Sequence, residues 1–353
     1  MSENSPSSLR VAVAVPLPEQ LCRLIEQLEP RLEVVRDHEL LAPMRWPADW
    51  SGDPAFVRTP AQHARFEEML DAADALFGIP DASPAALART AEANPRLRWV
   101  MTMAAGGGAQ IGAAQLPAEV LRRITFTTSA GVHGAPLAEF AVFGVLAGAK
   151  NLPRLHDDQQ KRVWPDRWEM SQLDEMTVLI VGLGGIGAAC ASRFHALGAR
   201  VWGTTRSGEP VEGVDRLVPV DELDTAIAEA DAVVVTLPST AQTHHLIDAR
   251  LFAAARPGLI LVSVGRGSVI DERALVSALD DGTVAFAALD VFEEEPLPHT
   301  SPLWTHPKVL VSPHTAALSS REEERIARRF AADATRLLDG EPMRAVVDTV
   351  EFY

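Results

Sequence analysis

Six short apolar runs in the second half of the chain limit its possible fold more than any other feature. Successive runs begin roughly 20 to 35 residues apart, which is enough for one strand, one helix and two loops. The runs are continuously apolar, so both faces of each strand are expected to be buried. Such a series predicts a doubly wound parallel sheet. The predicted strands are 177–182, 199–204, 232–238, 259–265, 284–291 and 308–313.

The first half of the chain also alternates between short apolar runs and Ala/Leu/Glu-rich segments, which predicts a second α/β unit. The stretch 41–60 has no periodicity and is interpreted as a long loop. A charged amphipathic segment, 319–340, predicts a helix that ends at Gly340 and packs on the first domain. Strands are predicted in this half at 11–15, 75–80, 97–103 and 124–128.

The chain has 353 residues, and at about 100 to 200 residues per domain it can form two cores. We predict an α/β protein with a Rossmann-type, doubly wound dinucleotide-binding domain and a flavodoxin-like substrate domain. The predicted borders are 1–128 with 315–353 for the flavodoxin-like domain and 129–314 for the Rossmann-type domain, whose segment 129–152 is interpreted as an interdomain helix.

A glycine-rich turn follows the first strand of the second half. Gly182, Gly184 and Gly187 have G-x-G-x-x-G spacing, come directly after an apolar run and open a predicted helix. The first glycine permits the tight turn, the second lets a pyrophosphate approach the backbone, and the third lets helix and strand pack closely. The turn, with Gly185 and Ile186 between its glycines, predicts dinucleotide binding at a helix N-terminus. The alternative is a glycine-rich turn without a ligand.

The end of the next predicted strand indicates which dinucleotide is bound. NAD sites place a carboxylate there for the ribose 2′-hydroxyl, but this chain has no Asp or Glu before Glu209. Arg206, with Thr205 and Ser207 beside it, offers a cation and hydroxyl groups that suit a 2′-phosphate. NADP is therefore the predicted cofactor. NAD stays possible if Arg206 is only a solvated loop residue and Glu209 reaches the ribose.

Three charged side chains follow later strands and suit the reduction of a 2-oxo acid. Arg266 can hold the carboxylate and polarise the carbonyl. His314 can supply the proton, since imidazole titrates near neutral pH. Glu295 can orient the imidazole and favour its charged form. The alternatives are a structural ion pair for Arg266, a solvated glutamate run for Glu295 and a capping or core role for His314.

The segments GLGGIG, VGRGSVIDERAL, ALDVFEEEPLP and SPHTAAL together resemble the D-isomer-specific 2-hydroxyacid dehydrogenases. The resemblance implies that Arg266, Glu295 and His314 are catalytic and that the protein is a homodimer. It also implies that backbone amides of a first-domain loop bind the substrate carboxylate, although this loop reads Gly-Gly-Gly-Ala-Gln where the family often has Gly-Val/Ile-Asp. The other implied site residues are Asp290, Leu237, Pro238, Val264 and Gly265 for the cofactor and Ala105, Gly106 and Gly107 for the substrate.

Composition limits the partners. The formal net charge of -16 disfavours nucleic acid and anionic membranes, and no apolar run approaches the ~18 residues that span a bilayer. Two distant cysteines, Cys22 and Cys190, fit a reducing compartment and provide no metal ligand set. The N-terminal residues MSENSPSSLR do not have the pattern of a signal peptide. A cytoplasmic protein without a metal is therefore expected.

Two other functions fit the same sequence. A regulatory protein could use this fold to sense a dinucleotide, because a fold does not dictate its function. A related hydride-transfer enzyme could act on formate or phosphite. The joint presence of Arg266, Glu295 and His314 favours a small 2-oxo or 2-hydroxy acid.

Overall fold

The structure is a computed structural model that describes residues 8–206, 208–350 and 352. The chain divides into two compact units. The first unit runs to His133 and resumes at Leu318, and the second comprises Gly134–Ala317. The predicted borders lie within five residues of these positions.

The first unit contains a five-stranded parallel sheet in the order β2-β1-β3-β4-β5. This is the flavodoxin-like strand order, so the predicted class is confirmed. Strand β2, Leu32–Val35, was not predicted, because it is a four-residue edge strand that includes the exposed Glu33. The other strands are β1 (Leu9–Val13), β3 (Ala75–Phe77), β4 (Trp99–Met101) and β5 (Thr125–Thr127).

Helices contribute buried side chains to the core around this sheet, and the C-terminal helix is one of them. Phe330 of that helix stacks on Trp99 of β4, with ring centroids 4.3 Å apart. Both aromatic rings are fully buried. The predicted packing of the C-terminal helix on this unit is therefore observed. The helices are α1 (Glu19–Leu28), α2 (Pro60–Asp71), α3 (Pro84–Ala93), α4 (Gly108–Ala113), α5 (Ala118–Arg123) and α12 (Glu322–Leu338).

The second unit contains a seven-stranded parallel sheet in the order β12-β11-β10-β9-β6-β7-β8. The six predicted strands are present. The seventh, β8 (Arg216–Leu217), has only two half-buried residues at the edge and no apolar run to indicate it. The others are β6 (Thr177–Val181), β7 (Arg200–Thr204), β9 (Ala232–Val235), β10 (Leu259–Ser263), β11 (Val284–Leu289) and β12 (Val309–Val311).

Within the predicted interdomain segment 129–152, residues Gly134–Ala149 form α6, which packs on strands β10 and β11 and on a neighbouring helix of the second unit. In the part of the chain that the structure describes, no helix is long and apolar enough to cross a lipid bilayer. The remaining helices of this unit are α7 (Leu152–Lys161), α8 (Gly185–Ala196), α9 (Leu223–Glu229), α10 (Ala249–Ala254) and α11 (Glu272–Asp281).

Candidate active site

The site residues predicted for the second unit follow six adjacent strands of one parallel sheet. Parallel strands end at the same edge, so these residues share the carboxyl edge where doubly wound sheets bind ligands. The sheet order brings the ends of β10, β11 and β12 side by side. Residue by residue, Gly182 follows β6, Thr205 follows β7, Leu237 and Pro238 follow β9, Val264, Gly265 and Arg266 follow β10, Asp290 follows β11, and His314 follows β12.

Side chains from neighbouring strands hold the glycine-rich turn. Gly182 has φ +108°, a conformation that favours glycine. Its N–H donates to Oγ1 of Thr204 at 3.0 Å, and its carbonyl accepts from Oγ1 of Thr236 at 2.5 Å. The two threonines were not among the predicted site residues, although each is the last polar residue of an apolar run. They fix the turn from which α8 begins.

The other two glycines of the turn differ in their surroundings. A Cβ on Gly187 would lie 2.1 Å from the carbonyl oxygen of Gly182, so a larger residue would push the helix away from the turn. A Cβ on Gly184 would meet no atom within 4 Å. The exposed Gly184 caps the N-terminus of α8, where Gly185 and Ile186 form the first turn. This open, positively polarised end fits a pyrophosphate.

Two further predicted cofactor residues lie beside the turn. A Cβ on Gly265 would lie 2.5 Å from the carbonyl oxygen of Leu237, so the segments after β9 and β10 touch through their backbones. The side chain of Leu237 also approaches Gly182, where a Cβ would lie 2.7 Å from it. The predicted residues Gly182, Leu237 and Gly265 therefore form one continuous surface.

The residues predicted to select the dinucleotide follow β7 directly. Thr205 is half-buried and Arg206 is exposed. Ser207 lies outside the described residues. Glu209, the carboxylate that NAD binding would need, is exposed.

His314 and Glu295 form a hydrogen-bonded pair. Nδ1 of His314 lies 2.6 Å from Oε2 of Glu295. The other carboxylate oxygen of Glu295 accepts from the backbone N–H of Phe292 at 3.0 Å, which fixes the carboxylate. The histidine side chain is 45% exposed and the glutamate 36%. The pair is therefore both oriented and accessible.

Each glutamate of the run 293–295 has different surroundings. Glu293 accepts from the backbone N–H of Glu272 at 2.8 Å, and Glu272 accepts from that of Glu293 at 2.7 Å. Glu294 is exposed, whereas Glu295 points to His314. The reciprocal contact fixes the run to the start of α11. Glu272 was missed as a supporting residue, because nothing in the sequence pairs it with a segment about twenty residues away.

Asp290 is 1% exposed, and its two carboxylate oxygens differ in their hydrogen bonds. One of its carboxylate oxygens accepts from the hydroxyl of Ser312 at 2.5 Å and from the backbone N–H groups of Thr315 and Ala316 at 2.9 and 3.0 Å. The other oxygen is buried without a partner in the described structure. Burial raises the pKa of this carboxyl above its usual range. A buried acceptor without a donor fits a ligand amide or hydroxyl at this position.

Arg266 lies just after β10 and is half-buried. Its Nη1 donates to the carbonyl of its neighbour Gly265 at 2.8 Å. Among the described residues, no carboxylate forms an ion pair with it, so its remaining N–H groups can bind an anion.

The predicted substrate loop, Ala105–Gly107, lies at the carboxyl end of β4 in the first unit. A Cβ on Gly107 would lie 1.8 Å from Oγ1 of Thr102, so this glycine is needed for packing. Its N–H donates to the carbonyl of Ala104 at 3.1 Å. Within the described chain, the N–H groups of Ala105 and Gly106 have no acceptor, and Gly106 is exposed. Two adjacent backbone donors suit a carboxylate.

Glu19, Cys22 and His38 lie close enough together to suggest a metal site in the first unit. However, Glu19 already accepts from Arg23 at 2.8 Å and from Arg36 at 2.9 Å. These arginines lower the pKa of Glu19, and burial raises that of Cys22 to about 12. The cluster is better explained as a network of ion pairs than as a metal site.

Comparison with known proteins identifies the family. Residues 142–316 match the model of the D-isomer specific 2-hydroxyacid dehydrogenase NAD binding domain. The chain is 32% identical over 267 residues to glyoxylate/hydroxypyruvate reductase A of Salmonella dublin, which covers 74% of this chain and 83% of that protein. The chain belongs to the D-isomer-specific 2-hydroxyacid dehydrogenase family. The resemblance in the sequence motifs is thereby confirmed.

Other members of the family agree in sequence and fold. Glyoxylate reductase of Thermofilum pendens is 31% identical over 268 residues, which are 74% of this chain and 78% of that protein. A family dehydrogenase of Xanthobacter autotrophicus, solved with NADPH and MES, is 28% identical and has a TM-score of 0.76. That comparison covers 98% of this chain and all of the solved one. The two-domain α/β class is confirmed.

Proposed function

We propose that this dehydrogenase reduces a small 2-oxo acid to the D-2-hydroxy acid with NADPH, and that it also catalyses the reverse reaction. The observation that carries the proposal is the pair formed by Nδ1 of His314 and Oε2 of Glu295, 2.6 Å apart at the ligand-binding edge of the sheet. The relatives named glyoxylate or glyoxylate/hydroxypyruvate reductase support the reaction class.

His314 acts as the proton donor. Because Nδ1 contacts Glu295, the other ring nitrogen is left to give its proton to the oxygen that becomes the hydroxyl group. The carboxylate of Glu295 holds the ring in a fixed orientation. In the reverse direction the same nitrogen accepts the proton. When bound, the reduced nicotinamide supplies the hydride.

Each unit has donors that we propose for an anionic substrate: Arg266 in the second unit and backbone N–H groups of the loop Ala105–Gly107 in the first. The guanidinium has no carboxylate partner among the described residues, so it can hold the carboxylate and the carbonyl oxygen. The N–H groups of Ala105 and Gly106 can donate to a carboxylate. Bonds from a charged donor contribute about 1.5–3 kcal/mol each. This arrangement also withdraws electrons from the carbonyl carbon that receives hydride.

The cofactor is held along the second sheet. The open position at Gly184 accommodates the pyrophosphate, and the partnerless oxygen of Asp290 accepts from the nicotinamide ribose or carboxamide. Thr205, Arg206 and Ser207 select the 2′-phosphate of NADP, with NAD as a weaker alternative. The NADPH complex of the Xanthobacter relative supports this choice.

A homodimer is proposed on the basis of the family resemblance. Helix α7 has no buried residue, and its Leu152 and Leu155 are exposed, as is Phe143 of α6. Exposed apolar side chains of this kind support an interface. Analytical ultracentrifugation should give twice the chain mass, whereas a single-chain mass would contradict the dimer.

A substrate panel tests the proposed function. Initial rates of nicotinamide oxidation are measured with several 2-oxo acids, each with NADPH and with NADH. We expect turnover with NADPH and slower turnover with NADH. Binding of NADPH without turnover of any 2-oxo acid would favour a dinucleotide-sensing protein. Oxidation of formate or phosphite with NADP or NAD, without reduction of 2-oxo acids, would assign the related hydride-transfer function.

A further inference from the structure

A groove of about 700 Å³ lies at the amino edge of the first unit's sheet, where strands β1, β3 and β4 begin. This amino-edge groove is at the opposite end of the strands from the loop Ala105–Gly107, which follows β4. Small-molecule sites have volumes of about 300–1,000 Å³, so the groove has room for a whole metabolite. The charged residues that line it are Arg10, Glu33, Asp74, Arg96 and Arg98.

The register of the sheet places four of these charges in one row across neighbouring strands. Arg10 of β1 is the register partner of Glu33 of β2. The backbone N–H of Asp74 donates to the carbonyl of Arg10 at 2.8 Å, and that of Arg98 donates to the carbonyl of Asp74 at 2.9 Å. The row therefore reads Glu33, Arg10, Asp74, Arg98, with alternating charges.

Hydrogen bonds compensate the charges of this row except at its last member. Nη1 of Arg10 donates to Glu33 at 2.6 Å. Asp74 accepts from the backbone N–H of Arg10 at 3.0 Å and from Nη2 of Arg96 at 3.1 Å. The side chain of Arg98 forms no hydrogen bond or ion pair with the residues that the structure describes, and its Nε is buried without an acceptor. The cation at the end of the row is therefore uncompensated.

The row ends in a cation because no carboxylate follows on the next strand. The residue that precedes β5, next to Arg98, is the apolar Ile124. Arg96 also borders the groove, is 65% exposed and uses only Nη2 for its bond to Asp74. Three arginines and two carboxylates give the lining one net positive charge, in a chain whose net charge is -16. Unused guanidinium N–H groups suit an anion with several oxygens.

We propose that the amino-edge groove binds a small phosphate monoester, whose phosphate accepts from Arg98 and Arg96. A phosphate monoester carries a charge of about −1.5 to −2 at neutral pH and has three terminal oxygens, so it can accept from two guanidiniums at once. The exposed side chains of Ser8 and Glu33 also line the groove and can bind hydroxyl groups, which favours the ester of a polyol. The site is separate from the one proposed for the 2-oxo acid, so both ligands can be bound together.

Isothermal titration calorimetry with glycerol 3-phosphate tests this site. Excess NADPH is present, so that the positions proposed for the phosphates of the cofactor are filled. The parent should bind one glycerol 3-phosphate per chain, and Arg98→Gln and Arg96→Gln should each weaken binding at least about tenfold, because each removes a charged donor. Arg122→Gln is the matched control: it changes an exposed arginine of the same unit that does not line the groove, and the affinity should equal that of the parent.

Each other outcome counts against the site or its ligand class. A parent that shows no saturable binding would overturn the inference, and so would an unchanged affinity in both groove variants. Malonate, which offers carboxylates only, should bind at least about tenfold more weakly than glycerol 3-phosphate, and equal affinity would refute selection of a phosphate. Inorganic phosphate as tight as glycerol 3-phosphate would refute the ester.

Melting temperatures are measured alongside the titrations. Because the side chain of Arg96 is 65% exposed, Arg96→Gln should melt close to the parent. A loss of binding in that variant then reports the site and not the stability of the fold. The result does not depend on turnover of a 2-oxo acid, so the inference and the proposed function can fail separately.

Discussion

The carboxyl edges of the two sheets differ in chemistry. The edge of the second sheet is polar, with Arg266 after β10, the buried Asp290 after β11, and His314 bonded to Glu295 after β12. The edge of the first sheet has a cleft lined by both apolar and polar side chains, beside the backbone N–H groups of Ala105 and Gly106, which have no acceptor among the described residues. Under the proposed function, the second unit carries the reacting side chains and the first unit supplies backbone donors for the substrate. Substitutions at the edge of the second sheet should lower the turnover of every 2-oxo acid. Substitutions at the edge of the first sheet should change the order of kcat/KM among the 2-oxo acids.

The largest effect should come from His314→Gln. Without a proton donor, turnover should fall by roughly 10²–10⁴ for all 2-oxo acids, while NADPH still binds. Steady-state rates and fluorescence titration of NADPH measure the two quantities. His299→Gln, which changes another exposed histidine of the same unit, should behave as the parent. If His314→Gln retains more than about a tenth of the parent turnover, His314 is not the proton donor. If it changes the order of kcat/KM among the 2-oxo acids, the second unit also affects substrate choice.

Arg206→Ser should produce the next largest effect. Loss of a charged donor to the 2′-phosphate should raise the KM for NADPH by roughly 10- to 100-fold and change the KM for NADH little. The substrate ranking should stay the same, because the residue follows β7 in the second unit. Kinetics with both cofactors check this. An equal rise in the KM for NADPH and in the KM for NADH would contradict the role of Arg206 in cofactor choice.

Gly184→Ala and Gly187→Ala separate binding from packing within one turn. A methyl group at 184 enters open space, so stability should stay the same while NADPH affinity falls about tenfold. A methyl group at 187 meets the carbonyl of Gly182 and should cost about 1–3 kcal/mol of stability. Denaturation without cofactor and NADPH titration provide the comparison. An unchanged NADPH affinity in Gly184→Ala would contradict the proposal that the pyrophosphate binds at this position.

The smallest effect concerns Glu272, which supports the glutamate run. Burial, reinforced by the charges of Glu293, Glu294 and Glu295, raises its pKa above the ordinary value of 4.5. Its folded form binds the proton more tightly, so its stabilising contribution is complete below pH 4.5 and is lost as pH rises through the raised pKa. Glu272→Gln should therefore gain stability relative to the parent between about pH 4.5 and 7, within about 4 °C in melting temperature.

Melting curves across that pH range test whether Glu272→Gln gains stability relative to the parent. Glu212→Gln is the matched control, because this exposed glutamate of the second unit is not among the charges that raise the pKa of Glu272 and bonds to neither Glu272 nor His314. Its melting temperature should follow the parent at every pH. A Glu272→Gln protein that loses stability relative to the parent as pH rises would contradict the raised pKa.

The sequence predicted the second edge better than the first for a physical reason. Arg266, Asp290 and His314 each come within three residues of the end of an apolar strand, so their positions along the chain determine their place at the sheet edge. The cleft depends instead on contacts between distant segments, such as Trp50 with Phe77, and on a loop without periodicity. Contacts such as Glu272 with Glu293, or Ser312 with Asp290, also join separate segments and had no local signal. The short edge strands β2 and β8 were missed because they lack a long apolar run.

The most direct test of the account is the product of a reaction that contains only the protein, NADPH and 4-methyl-2-oxopentanoate. The oxidised cofactor and both enantiomers of the hydroxy acid are measured by chiral chromatography over time. We expect one molecule of D-2-hydroxy acid for each NADPH consumed. NADPH that binds but is not consumed, or an equal mixture of the two enantiomers, would contradict stereospecific reduction at this site.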